Sequence, residues 1–163
     1  SHALLSDQTA ARLKQLPEKD SAMTDSDLFQ LDPRLAATSI AVGRRAGIEV
    51  RLVNDSRYQW LMLVPCLPDI VEMDDLPPDV AADLFRLAGD LGSWLKSFTN
   101  ADKINIAMIG NVVPQMHVHV VARHRDDADW PDPIWGRGAP QPMPDETCTA
   151  RVAALTAWLE TWN

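Results

Sequence analysis

Residues 104–123 read INIAMIGNVVPQMHVHVVAR, two β-like runs joined by a turn that carries glycine, asparagine and proline. In the second run apolar and polar positions alternate with the period of a strand whose two faces meet different surroundings. Met116, Val118, Val120 and Ala122 then point into a core, while Gln115, His117, His119 and Val121 share the opposite face. Two imidazoles and an amide therefore stand side by side where a ligand can approach. The first run, Lys103–Ile109, is β-like as well, so Gly110–Pro114 is expected to close an antiparallel hairpin.

Upstream, SIAVGRRAGIEVRLV at Ser39–Val53 offers two short strand-like pieces around Gly43–Gly47, followed by a turn signal at Asn54–Ser56. In RYQWLMLVPC, Tyr58, Trp60, Met62 and Val64 fall on one side and Gln59, Leu61 and Leu63 on the other. Both sides are apolar, which predicts a central strand ending at Pro65. Pro77 and Pro78 open a long helix, because a first-turn proline gives up no needed donor and Asp79 and Asp83 suit the positive end. Its buried stripe is read as Leu84, Leu87, Leu91, Trp94, Leu95 and Phe98. A second amphipathic helix, Asp145–Trp162, closes the chain on Val152, Leu155, Leu159 and Trp162. The predicted class is α+β: an antiparallel sheet with a long helix packed on it and a C-terminal helix.

Between sheet and final helix, residues 126–144 carry a run of prolines with Trp130 and Trp135. That is too long for an idle connection, so the segment is expected to lie across a surface, its own or a partner's. MTDSDLFQLDPRL from Met23 reads like a natural beginning. Residues 1–22 are accordingly taken as an N-terminal extension, with a helical stripe at Leu4, Leu5, Leu13 and Leu16, and residues 23–163 as one domain.

A formal charge of −8 argues against broad attraction to nucleic acid, which needs clustered cations that displace counterions. Arg44, Arg45, Arg51 and Arg57 fall together and leave room for a local basic pocket. Cys66 and Cys148 lie far apart without ligand-like spacing, so the expected setting is a reducing cytoplasm. No apolar run nears the roughly 18 residues of a membrane span.

Three uses compete for the histidine pair. A neutral imidazole can attack phosphorus, provided its other nitrogen is fixed by an acceptor such as a backbone carbonyl. Histidines two apart on a strand can also chelate a metal, with His124 as a third ligand, but no carboxylate follows closely and no metal is expected. Or the pair is simply the wet side of a sheet.

The stretch Ile104–Arg123 resembles the signature of the histidine-triad (HIT) family, in which three histidines alternate with apolar residues after a glycine-bearing turn, often followed by arginine. The likeness extends to the order of sheet, helix and signature hairpin over residues 28–123. It implies a nucleotide-binding fold, a homodimer paired through the long helix and a sheet edge, and a small phosphorylated or nucleotide ligand, with no cofactor. By resemblance His117 is the nucleophile, His119 steadies the phosphate, Gln115 cradles its oxygens, and Asn105 and Asn111 face the substrate. The implied activity is hydrolysis or transfer at a nucleotidyl or other phosphate ester, phosphoramidate or anhydride.

The departures are specific. Gln115 replaces the first histidine and cannot carry a proton, and Val112 stands where many members have Ser or Thr. YQWLMLVPC runs straight through where members commonly insert a base-holding loop, so the usual nucleoside pocket is curtailed. The alternative is a catalytically impaired phosphometabolite-binding or interaction module on the same fold.

Overall fold

The computed structural model describes residues 22–163. The extension's predicted helical stripe lies outside the described residues. Two short helices, α1 (Asp25–Leu28) and α2 (Pro33–Ala37), lead into strands β1 (Ser39–Arg45), β2 (Ile48–Val53) and β3 (Gln59–Pro65). Helix α3 (Pro78–Thr99) follows, then β4 (Lys103–Met108), β5 (Val118–Arg123) and α4 (Asp145–Thr161). The five strands form one antiparallel sheet in the order β1-β2-β3-β5-β4. The fold is α+β, as expected, with β3 at its centre.

The β1–β2 turn falls on Ala46 and Gly47, both at positive φ, at the far end of the predicted Gly43–Gly47 window. Two left-handed residues make the tight turn whose twist matches the flanking strands. Both of the long helices cover one face of the sheet. There Leu84, Leu87, Leu91 and Leu95 of α3 and Leu155 and Leu159 of α4 join Leu61, Leu63, Val118 and Val120 in the main core. Pro at the first turn and Asp79 start α3, and Asn100, at φ 53°, stops it by donating back to the carbonyls of Lys96 and Ser97.

One member of the predicted stripe misses the core: Phe98 is 54% exposed. It stacks instead on Trp94 of its own helix, which in turn stacks on Trp158 of α4. The β5 strand also starts later than predicted. Regular pairing begins at Val118, opposite Met108, because the N–H of Met116 bonds the carbonyl of Ile70 and not a neighbouring strand. Residues 115–117 nevertheless keep the alternation, with Met116 in the core.

Helix α3 approaches the sheet most closely at Gly92, where a Cβ would sit 3.2 Å from Cγ2 of Ile104 and near Val120. Gly89, on the exposed side, meets nothing within 4 Å. Gly92→Leu is therefore expected to cost about 1–3 kcal/mol by overpacking, while Gly89→Ala gains up to about 1 kcal/mol of helix propensity. Denaturant unfolding of both variants checks the pair; equal stability of Gly92→Leu and wild type would mean the helix is not seated as described.

Candidate active site

The sheet face away from the long helices carries the histidines. Antiparallel pairing sets Ala107 and Met62 beside His119, and Arg51 beside Met62, so one row crosses four strands. Arg51 is buried and bound to Glu49 and Ser39. Arg44 pairs with Glu49, and Arg57 with Asp55. The arginines of this region thus have carboxylate partners, apart from Arg45, whose guanidinium bonds the Arg44 carbonyl.

His117 and His119 are each 6% exposed and meet edge to face, ring centroids 4.9 Å apart. The Nδ1 atom of His117 lies 2.7 Å from the main-chain oxygen of Gln115. A carbonyl can only accept, so Nδ1 carries the hydrogen, and in the neutral ring Nε2 keeps a bare lone pair. His117 borders a cavity of about 170 Å³ shaped by Met116, Ile109, Gly110, Asn111 and Pro114 on one side and Val71–Met73 on the other. That is more than ten times the roughly 10–15 Å³ that admits one water, enough for a phosphate group.

His119 differs from its neighbour. Its Nδ1 accepts a hydrogen bond from Nε1 of Trp60 at 2.9 Å, and the rings of Trp60 and Trp135 lie 5.5 and 5.4 Å away. Burial, reinforced by the nearby His117, pulls its pKa from 6.5 down to about 4, with a hydrogen bond to the Ile109 main chain acting the other way. His119 is consequently neutral through the ordinary pH range.

Gln115 is occupied at both ends of its amide. Oε1 accepts from the N–H of Asp32 and Nε2 donates to the carbonyl of Gln30, each at 2.8 Å. Arg34 adds a bond to the carbonyl of Val112, so residues 30–34 are strapped to the signature turn. Asp32, which caps α2 and pairs with Arg34, has its pKa lowered to about 2, chiefly by that guanidinium.

Asn111 lies on the cavity wall with His117. Asn105 shares the histidine face, opposite Val121, and its Oδ1 accepts from the buried Arg123, which also clamps Asp127 in two bonds. The structure thus brings Gln115, His117, His119 and Asn111 together and places Asn105 at the root of the proline-rich segment. His124 is outside the group, bonded to the carbonyl of Thr99. No group of three or more potential metal-ligating side chains occurs among the described residues.

Residues 126–144 fold back over the chain's own histidine face. Ile134 is buried with Tyr58 and Val121, Tyr58 bonds Asp129, and Ser56 bonds the carbonyl of Gln141. Trp60 and Trp135 were not singled out as site residues by the sequence reading. The signal for Trp60 was its place on the Tyr58–Val64 row; Trp135 was marked only as part of a segment expected to lie across a surface.

A family model described as HIT domain matches residues 34–126, more than half of the chain. The bifunctional bis(5'-adenosyl)-triphosphatase/adenylylsulfatase FHIT of Arabidopsis thaliana is 30% identical over 101 residues, 53% of this chain and 56% of that protein. The chain thus spans little more than half the length of that relative. A histidine triad protein from Sinorhizobium meliloti is 41% identical with a TM-score of 0.77, covering 79% of this chain and 96% of its own. One from Marinobacter aquaeolei is 35% identical with a TM-score of 0.80, over 83% and 98%.

The His119 environment generates a pH prediction. A histidine whose folded pKa lies below its unfolded value binds its proton first in the unfolded chain, so stability falls as pH drops from 6.5 towards 4 and no further below. A separation of that size is worth about 3 kcal/mol at most. His119→Asn, whose Oδ1 can still accept from Trp60, should show a shallower loss over that window in denaturant titrations at pH 7, 5.5 and 4. Parallel losses in the two proteins would contradict the assignment.

Proposed function

The chain belongs to the HIT domain family, and on that premise we propose that it is a hydrolase or transferase acting on a nucleotidyl or other phosphate ester, phosphoramidate or anhydride through His117. The observation that carries the reading is the 2.7 Å contact between Nδ1 of His117 and the Gln115 carbonyl, at the wall of a cavity that admits phosphate. The Nε2 lone pair attacks phosphorus, and the leaving group departs with the electron pair of its bond. Water then attacks the phosphorus of the phosphohistidine, returning Nε2 and releasing the phosphate product and a proton.

The Nε2 hydrogen of neutral His119, which meets the Ile109 main chain when no ligand is present, is shared with a phosphoryl oxygen, and Asn111 contacts the ligand from the turn. Gln115 acts through its main-chain oxygen on His117 and through its amide on residues 30–32. Asn105, its carbonyl bound to Arg123, offers ligand only its amide hydrogens. No cofactor enters the scheme. A second reading, a binding module impaired in turnover, draws support from the same Gln115, whose engaged amide cannot protonate a leaving group.

Pairing of two copies belongs to the proposal. Strand β4 is a sheet edge, and Ile106 and Met108 are exposed on it beside Phe85 of α3. A cytoplasmic setting fits the two free cysteines, and no helix among the described residues is long and apolar enough to cross a membrane.

Bis(5'-adenosyl) triphosphate and adenylyl sulfate, named for the Arabidopsis relative, are the first substrates to test. His117→Ala is expected to lower kcat by about three orders of magnitude or more while ligand affinity holds, and acid-stable mass analysis is not the readout of choice because phosphoramidates survive only in base. Alkaline quenching should trap a nucleotidyl adduct on His117. Turnover that survives His117→Ala would exclude the nucleophile; binding without turnover by wild type would favour the module. For the pairing, sedimentation should give a dimer that Ile106→Lys with Phe85→Lys converts to monomer, and a wild-type monomer would contradict it.

A further inference from the structure

Trp60 stands opposite Val121 on the neighbouring strand, one rung from His119, and its indole reaches back along the sheet to the histidine. An indole N–H can only donate, so the nitrogen it meets at 2.9 Å must hold a lone pair and not a proton. The hydrogen of the neutral ring is then on Nε2. We propose that Trp60 is a positioning residue that locks His119 in its neutral Nε2–H tautomer. His119 becomes a fixed donor that neither takes a proton nor competes with His117 as a nucleophile.

The surroundings serve this lock. The Trp60 ring is wedged edge-on between Tyr58 and Trp135, with centroids 6.4 and 6.3 Å away, and Tyr58 is tied to Asp129. The proline-rich segment thereby holds the indole from above while β3 holds it from below. The titratable group acting directly on His119 is His117 on its own strand. The other charged groups around this face are internally paired or set back: Asp32 with Arg34 beyond Gln115, Glu49 with Arg51 on β2, Asp129 behind Tyr58, and Glu72 across the cavity. None of them contacts the imidazole by a hydrogen bond that would place a proton on Nδ1. A charged His119 would instead lose the Trp60 bond and face His117 at 4.9 Å.

The catalytic consequence rests on the His117 reading; the tautomer does not, so the two can fail separately. In the full-length chain labelled with ¹⁵N, a scalar coupling across the hydrogen bond between Trp60 Nε1 and His119 Nδ1 is expected at neutral pH. Its absence, or a proton on His119 Nδ1, overturns the proposal whether or not any variant folds. Trp60→Phe keeps the ring and removes the donor. It should weaken the tautomer preference of His119, leaving the Ile109 main chain as its remaining hold on the Nε2 hydrogen, with a titration midpoint raised towards the usual value, and with bis(5'-adenosyl) triphosphate should lower kcat roughly tenfold with little change in KM, a fraction of the 10²–10³ that loss of a whole donor costs. A variant with wild-type tautomer, midpoint and kcat would reduce Trp60 to packing and overturn the assignment. Loss of the His117 adduct with the coupling intact would sink the proposed reaction and leave the lock standing.

Discussion

The site depends on one short hydrogen bond between neighbours in sequence, from Nδ1 of His117 to the main-chain oxygen of Gln115. It forms because residues 115–117 keep the alternation of a strand without joining the ladder: Met116 is drawn into the core and bonded to Ile70, leaving the Gln115 carbonyl free of strand pairing. The apolar side of the strand therefore does chemical work at one remove. Burying Met116, Val118 and Val120 under α3 fixes the backbone, and the fixed backbone decides which nitrogen of His117 is bare.

Two imidazoles 4.9 Å apart in a buried setting cannot both be charged without cost, and the fold holds His119 neutral. Burial, with His117 beside it, holds His119 neutral, and the Trp60 bond leaves its hydrogen on Nε2, so the pair divides into an acceptor ring, His117, and a donor ring, His119. Gln115 completes the division. It cannot titrate, and it uses its amide to strap residues 30–34 to the turn beside the cavity.

Much of this was legible in the sequence because strand alternation has a period of two and survives any local irregularity. The dry row of β5, the doubly apolar β3 and the proline-led α3 all follow from that logic and from helix-start chemistry. What escaped are contacts between distant positions. Gln115 meets residues 83 and 85 positions away, and the landing of Trp135 on His119 comes from a segment with no periodicity to read. Phe98 misled for a related reason: helical spacing puts it on the stripe, but its ring stacks on Trp94 of its own helix and stays half exposed. Trp60 was assigned to the right row, yet a row does not say whether an indole packs or donates.

The chemistry proposed for the site requires that His117 present a bare Nε2 with its hydrogen held on Nδ1. Long-range ¹H–¹⁵N correlation spectra of the histidine-labelled protein at neutral pH measure this directly. His117 is expected to show a protonated Nδ1 and an unprotonated Nε2; a proton on Nε2 with Nδ1 bare would contradict this.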